Sequence, residues 1–326
     1  MHAIRLHEFG PAENLRYEEV PDPDPAKDQV RIAVAASGVH LIDTVIRRGV
    51  AAGPFPLPDL PAVPGREVAG TVEAVGPGVD ERWAGRRVVA HLGRASGGYA
   101  ERAVAPVDAL HEIPDHLGAD VAVAVIGTGR TAVGILDDTG LTPKDVVLVT
   151  AAAGGLGSLF VQAALRAGAF VVGVAGGPAK AERVRALGAS AAVDYLEPDW
   201  PDRVRDSLGG RAVTVVLDGV GGPAGRSVME LLGAGGRLVL FGLASGRPTQ
   251  LTTQDLMARG LTATWAIGPR PQRRGGLREL ETRALEEAAA GRLVPIVDQR
   301  FPLAQASAAH TAIETLATVG KTLLIP

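Results

Sequence analysis

The chain has 326 residues, no cysteine, 33 basic residues against 36 acidic ones and a formal net charge of −3. This excludes disulfides, thiolate zinc sites and cysteine nucleophiles, and no Lys/Arg block reaches the density that phosphate-driven nucleic-acid binding needs. The pair Arg273-Arg274 reads as solvated surface. MHAIRLHEFG lacks the apolar core of a leader, and no apolar run reaches the roughly 18 residues that span a bilayer, so a soluble cytoplasmic protein without membrane partners is expected. Two domains are expected from the length.

His2 to Phe9 and Leu15 to Val20 read as short strands around Gly10-Pro11, followed by PDPDP, which can be neither helix nor central strand. Gln29 to Ala36 alternates as a half-buried strand does, and in SGVHLIDTVIRRG the residues Ile42, Val45 and Ile46 share one face of a short helix ending near Gly49. A loop from Pro54 to Pro64, with five prolines, delivers Pro64-Gly65-Arg66-Glu67 to a fixed place. Val68 to Val75, Arg87 to Leu92 and Tyr99 to Ala105 continue the strand signals. This β-rich segment ends near Asp120, after which two helical stretches meet around Gly127-Thr128-Gly129.

The rhythm then changes. Val146 to Thr150 looks like a strand buried on both faces, and the turn that follows spaces Ala151, Gly154 and Gly157 as AxxGxxG. A helix from about Gly155 to Ala167 comes next. Its first turn offers unpaired N–H groups and the positive end of a macrodipole, for which a pyrophosphate is the natural occupant. Ala152 stands where the strict fingerprint has its first glycine, so the turn alone also fits a tight strand-to-helix connection without ligand. Further strands at Ala169 to Val174, Ala192 to Asp194, Val213 to Leu217 and Arg237 to Phe241 favour a doubly wound parallel sheet.

After Phe241 the βαβ rhythm fades. LTATWAIG reads as a strand, Gly276 to Ala290 as an amphipathic helix, Val294 to Arg300 as a strand, Leu303 to Leu316 as a helix and Thr322 to Ile325 as a closing strand. The expected organisation is a β-rich catalytic domain over 1–120, a nucleotide domain inserted at 121–262, and a return to the first domain over 263–326. The cleft between the domains would hold nicotinamide and substrate.

In order, HAIRLHEFG, SGVHLIDTVIRRG, VPGREVAGTVEAVG, GGYAE, TGRTA, AAAGGLGS, LDGVGG, GGRLVLFG and GKTLLIP resemble the zinc-free, zeta-crystallin-like quinone oxidoreductases of the medium-chain dehydrogenase/reductase superfamily. The resemblance runs the length of the chain. It implies a Rossmann domain within a GroES-like catalytic domain, and an NADPH-dependent reduction of small-molecule quinones, enals or enones by a homodimer. It also places Ala153, Gly154, Gly155, Leu156 and Gly157 along the pyrophosphate and Thr128 at the nicotinamide carboxamide. Phe241 and Gly242 would close over the nicotinamide side, with Val220-Gly221 bordering the ribose. His40 departs from the pattern, which usually has Asn there, and the tyrosine often found at or after Val45 is missing.

NADP is read from a missing carboxylate. In an NAD site an acid about 20 residues past the glycine loop accepts from the adenosine ribose. Here the second strand runs out in Ala175-Gly176-Gly177, followed by Lys180 and Arg183. The resemblance puts Tyr195 against the same phosphate. No metal is expected: zinc-dependent relatives place a Cys at position 40 and a His at 66, and Arg66 offers no lone pair. The remaining histidines read mostly as surface or loop residues.

Without a metal, rate acceleration rests on placing nicotinamide C4 against an electrophilic carbon. The candidates for stabilising the charge that develops are His40 as proton donor, Asp43 as its orienting partner and Arg66 as an electrostatic clamp. Each has a structural alternative: a packed ring for His40, a helix cap for Asp43, and an ion pair with Glu67 or another nearby acid for Arg66. Two other functions fit the same coenzyme site, namely a biosynthetic enoyl or ketone reductase and a non-catalytic, crystallin-like NADPH-binding protein.

Overall fold

The computed structural model describes residues 1–51, 56–267 and 276–326. The pair Arg273-Arg274 and the start of the proline loop lie outside the described residues. The chain forms two compact units, Met1–Arg130 with Gly275–Pro326 and Thr131–Arg274. Both changeovers come later in the chain than 120 and 262. The first is late because the helix Ala119–Ile126 buries Ala122, Val123, Val125 and Ile126 against Ala36, Ala69 and Val89 of the first unit.

In that unit His2–Leu6 and Leu15–Glu19 form an antiparallel pair. The larger sheet runs Gln299–Pro302, Thr322–Ile325, Gln29–Val39, Glu67–Val75, Arg87–His91, Leu110–Glu112, with Arg102–Pro106 also on Gln29–Val39. Two register shifts in the pairing of Gln29–Val39 with Glu67–Val75 bend the central strand. This lets one strand pair with Arg102–Pro106 near one end and with Thr322–Ile325 near the other. The chain terminus thereby returns to the first unit, and its penultimate segment carries Lys321 into that unit's interior, where it is only 4% exposed. Leu110–Glu112 was not foreseen, since three residues are too few to show alternation.

The second unit is a six-stranded parallel sheet in the order Ala191–Asp194, Phe170–Ala175, Val146–Val149, Val213–Asp218, Leu232–Leu240, Thr262–Trp265. Counted from Val146 this is 3-2-1-4-5-6, the order whose reversal point beside the first strand binds dinucleotides. One expectation fails here. The rhythm does not fade after Phe241, because Thr262–Trp265 pairs in parallel with Leu232–Leu240 as the sixth strand. Its crossover includes the helix Thr253–Arg259, held by a capping box in which Thr252 Oγ1 accepts from the Asp255 N–H at 3.2 Å and Asp255 accepts from the Thr252 N–H at 2.7 Å. The T-x-x-D spacing was the overlooked signal. Among the described residues no single helix is long and apolar enough to cross a membrane.

Candidate active site

The glycine turn leaves the first parallel strand through Ala151, held at φ +46°. Its carbonyl accepts from the Gly154 N–H at 2.8 Å, closing the turn. The helix Gly155–Arg166 begins at once. Ser158 is the first residue whose N–H reaches back, to the Gly154 carbonyl at 2.9 Å, so the N–H groups of Gly155, Leu156 and Gly157 have no carbonyl one turn earlier to bond. A side chain at 157 is impossible without moving the loop, because its Cβ would stand 2.2 Å from Ala151 O and 2.8 Å from Ala152 Cα. Glycine at 157 lets helix and loop main chain lie this close, and it leaves the N–H groups at the head of the helix uncovered by a side chain.

Beyond the second strand, which ends at Ala175, the corner is free of acids from Gly176 to Lys180. Tyr195 closes its side: a Cβ on Gly176 would come 3.1 Å from the tyrosine hydroxyl oxygen. Burial and the neighbouring Asp194 push the Tyr195 phenol up, and burial pulls the Lys180 ammonium down. Oδ1 of Asp194 accepts from the Gly177 N–H at 2.7 Å and the Leu196 N–H at 2.9 Å, so this acid holds the main chain of the corner. An acid-free turn beside Tyr195 and a lysine-bearing helix is a composition that suits a phosphorylated ribose.

At the end of the fourth strand Asp218, fully buried, organises the loop that carries Val220. It accepts from Thr150 Oγ1 and Thr249 Oγ1, both at 2.8 Å, and from the Val220 N–H at 3.0 Å. This residue escaped the sequence reading, although an Asp ending a strand before Gly-Val-Gly-Gly is the usual composition of such a turn. The Phe241 ring lies edge-on to Phe160 at 4.9 Å and covers Gly219. That ring is therefore packed between the helix Gly155–Arg166 and Gly219, and Gly242 lies against the Gly219 main chain. Thr128 is buried at the start of the helix Thr128–Thr139, on the first unit's side of the division.

The first unit gathers His40, Asp43 and Arg66, with a different division of labour from the one expected. Asp43 Oδ2 accepts from the His40 backbone N–H at 2.8 Å, which makes it the cap of the helix Leu41–Arg47 and not the partner of the ring. Its Oδ1 takes Arg66 Nε and Nη2, each at 3.0 Å. Burial would raise the Asp43 carboxyl, but Arg66 foremost holds it below its usual value. Tyr99 donates to the same carboxylate at 3.2 Å and receives His310 Nε2–H at 3.2 Å. His310 Nδ1, buried and without a partner, is then a bare lone pair, as the tautomer requires.

The His40 ring faces Glu67 instead, with Nε2 at 2.9 Å from Oε1, and Lys321 Nζ lies 2.9 Å from the same ring nitrogen. Glu67 and Lys321 were missed as site residues. A second cluster adjoins: Arg130 reaches His91 Nε2 at 3.0 Å and pairs with Glu281, which also holds His111 Nε2 at 3.2 Å. His111 and His310 are buried and His91 half-buried, not surface residues. Burial, with the Arg130 charge second, takes His91 down to about 3. Among the described residues no group of three or more His, Cys, Asp or Glu could hold a metal ion.

Burial takes His310 down to about 4, so the folded state leaves it neutral where the unfolded chain, near 6.5, binds a proton. Its depressed value makes stability fall as pH drops below about 6.5. The loss is about 2 kcal/mol at about pH 5, from roughly 1.4 kcal/mol per pH unit. Urea unfolding of His310→Gln, which keeps a donor for Tyr99, should lose about 2 kcal/mol less than wild type between about pH 7 and about pH 5, and an equal loss would contradict the assignment.

Comparison with known proteins finds relatives over the whole chain. Residues 155–282 match the zinc-binding dehydrogenase family and 26–115 the alcohol dehydrogenase GroES-like domain. A quinone oxidoreductase of Salmonella typhimurium is 34% identical, over 99% of each chain. A 2-haloacrylate reductase of a Burkholderia species is 33% identical, over 99% of this chain and 98% of its own. The crystal structure of Escherichia coli quinone oxidoreductase complexed with NADPH superposes over all of both chains with a TM-score of 0.87 at 32% identity. A GroES-like first unit, a Rossmann second unit and full-length kinship with these oxidoreductases lead to one conclusion: the chain belongs to the quinone oxidoreductase family of the medium-chain dehydrogenase/reductase superfamily and is an enzyme.

Proposed function

We propose that this protein is an NADPH-dependent reductase that delivers hydride to a small electron-poor acceptor, a quinone or an alkene activated by an electron-withdrawing group. The observation that carries the reading is the corner after Ala175, where an acid-free turn adjoins Tyr195 and the helix bearing Lys180 in a sheet of dinucleotide-binding order. NADPH bound there supplies the hydride. Gly154, Gly155, Leu156 and Gly157 meet the diphosphate with main chain, Gly176, Lys180 and Tyr195 receive the additional phosphate, and Val220, held by Asp218, borders the ribose.

His40 is the proton donor in this reading. Its side chain is 22% exposed, whereas Glu67 and Lys321 behind it are sealed. The NADPH complex of the E. coli relative and the 2-haloacrylate reductase relative both favour this chemistry, and the latter weights the alkene branch. A homodimer is proposed because, among the described residues, Thr262–Trp265 ends the parallel sheet, and the matching strand of a second copy would continue it.

The test is steady-state oxidation of NADPH, with NADH as control, against benzoquinones, naphthoquinones, alkenals, cyclic enones and 2-haloacrylates. Turnover with at least one of these classes and a preference for NADPH is expected. NADPH that binds but is oxidised by none would assign the chain to a binding role.

A further inference from the structure

Glu67 and Lys321 form a buried acid–base pair that the reading above leaves without a task. Glu67 occupies space that two glycines vacate: a Cβ on Gly38 would fall 1.9 Å from Oε1, and one on Gly127 would fall 2.4 Å from Oε2. Lys321 Nζ stands 2.5 Å from Glu67 Oε1. With His40 Nε2 these atoms make a triangle, its other two sides both 2.9 Å. A buried Lys beside a buried Glu is a costly arrangement for stability alone, since apolar side chains of similar volume do as well or better.

Proton bookkeeping fixes how the triangle works. The Glu67 carboxyl stays ionised: burial pushes it up, but His40 and Lys321 more than reverse this. Neither of its oxygens accepts a well-directed hydrogen bond, so the carboxylate is held by charge at short range. The contact from Lys321 Nζ to His40 Nε2 does have hydrogen-bond geometry. An ammonium can only donate, so Nε2 is the bare nitrogen and the ring proton sits on Nδ1. His40 is the one member of the three that solvent reaches, at 22% against 4% for Lys321 and 0% for Glu67.

We propose that Lys321 is a positioning residue for the reduction, holding His40 as the Nδ1–H tautomer and passing its own proton to Nε2 as Nδ1–H leaves for the reduced acceptor. The inference rests on the activity proposed above. Hydride from NADPH brings the electron pair and leaves an anion on the acceptor. The His40 Nδ1–H bond breaks as an O–H or C–H bond forms on that anion, while Lys321 Nζ–H breaks and Nε2–H forms. The ring ends neutral in its other tautomer, never as an imidazolate, and Lys321 ends as a neutral amine beside Glu67. One proton returning from water through the ring restores the start.

Two variants separate this from a structural ion pair. Lys321→Arg keeps a cation against Glu67 but does not release a proton near neutral pH, and Lys321→Met removes both. The relay predicts that each lowers kcat by about 100-fold or more, the scale of general acid catalysis, while NADPH affinity is unchanged. Near-normal kcat in Lys321→Arg would overturn it. If either variant fails to fold, 15N resonances of His40 in the wild-type protein decide the matter: a proton on Nδ1 with bare Nε2 supports the relay, and a protonated Nε2 overturns it. That spectrum requires no turnover, so a failure of the proposed activity would be seen separately in the acceptor assay.

Discussion

Replacing Arg66 with Leu is expected to lower the unfolding free energy by about 3–5 kcal/mol, the usual cost of stripping the partner from a buried charge. Asp43 and Arg66 are both nearly sealed, at 6% exposure each, and two guanidinium nitrogens converge on one carboxylate oxygen. The His40 N–H and the Tyr99 hydroxyl are neutral donors and cannot replace that charge. The sign of the pH dependence follows. In the native protein Asp43 titrates below its unfolded value, so its contribution is present at neutral pH and lost as pH falls through the folded value. Without Arg66 burial dominates, the carboxyl rises, and the variant sheds its penalty by protonation. The stability gap to wild type should therefore narrow on acidification. Chemical unfolding across pH tests this, and adding Asp43→Asn to Arg66→Leu should recover most of the loss. A gap below about 1 kcal/mol at neutral pH would show the pair to be as weak as a surface one.

Gly157→Ala should cost at least about 100-fold in NADPH affinity, which is about 2.7 kcal/mol, with little change in helical content. One methyl group is enough, because all three atoms it would strike are main chain: Ala151 O, Ala151 C and Ala152 Cα. None of them can swing aside as a side chain would. The loop has to open, and the N–H groups at the head of the Gly155–Arg166 helix lose their common focus. Equilibrium titration with circular dichroism as the folding control measures both. Unchanged affinity would mean that the diphosphate lies elsewhere.

The legible parts of the fold were those in which one local rule dominates. The run from Val146 through Gly157 shows strand, turn and helix in succession, and the strands up to Phe241 followed by the same period. The sixth strand was read but misassigned to the returning domain, since Thr262–Trp265 is half exposed at the sheet edge and carries little of the apolar signal of its neighbours. Glu67 and Lys321 could not have been paired from sequence. They lie far apart in the chain and meet only because Thr322–Ile325 lies antiparallel to the end of Gln29–Val39, beside Glu67–Val75. The same limit applies to His310 and Tyr99. Asp43 illustrates the opposite case: its place three residues after His40 suits a cap and a catalyst equally, and only the folded backbone sets its carboxylate on the His40 N–H.

The central claim is that the second unit takes a coenzyme bearing an additional phosphate, because the corner at Gly176 offers Lys180 and Tyr195 in place of a carboxylate. Titration of the wild-type protein with NADPH and with NADH, followed by nicotinamide fluorescence, tests it most directly. The account predicts that NADPH binds at least about 10-fold more tightly, about 1.4 kcal/mol, and that Lys180→Ala erodes the difference by weakening NADPH alone. Equal affinity for the two coenzymes, or tighter binding of NADH, would contradict it.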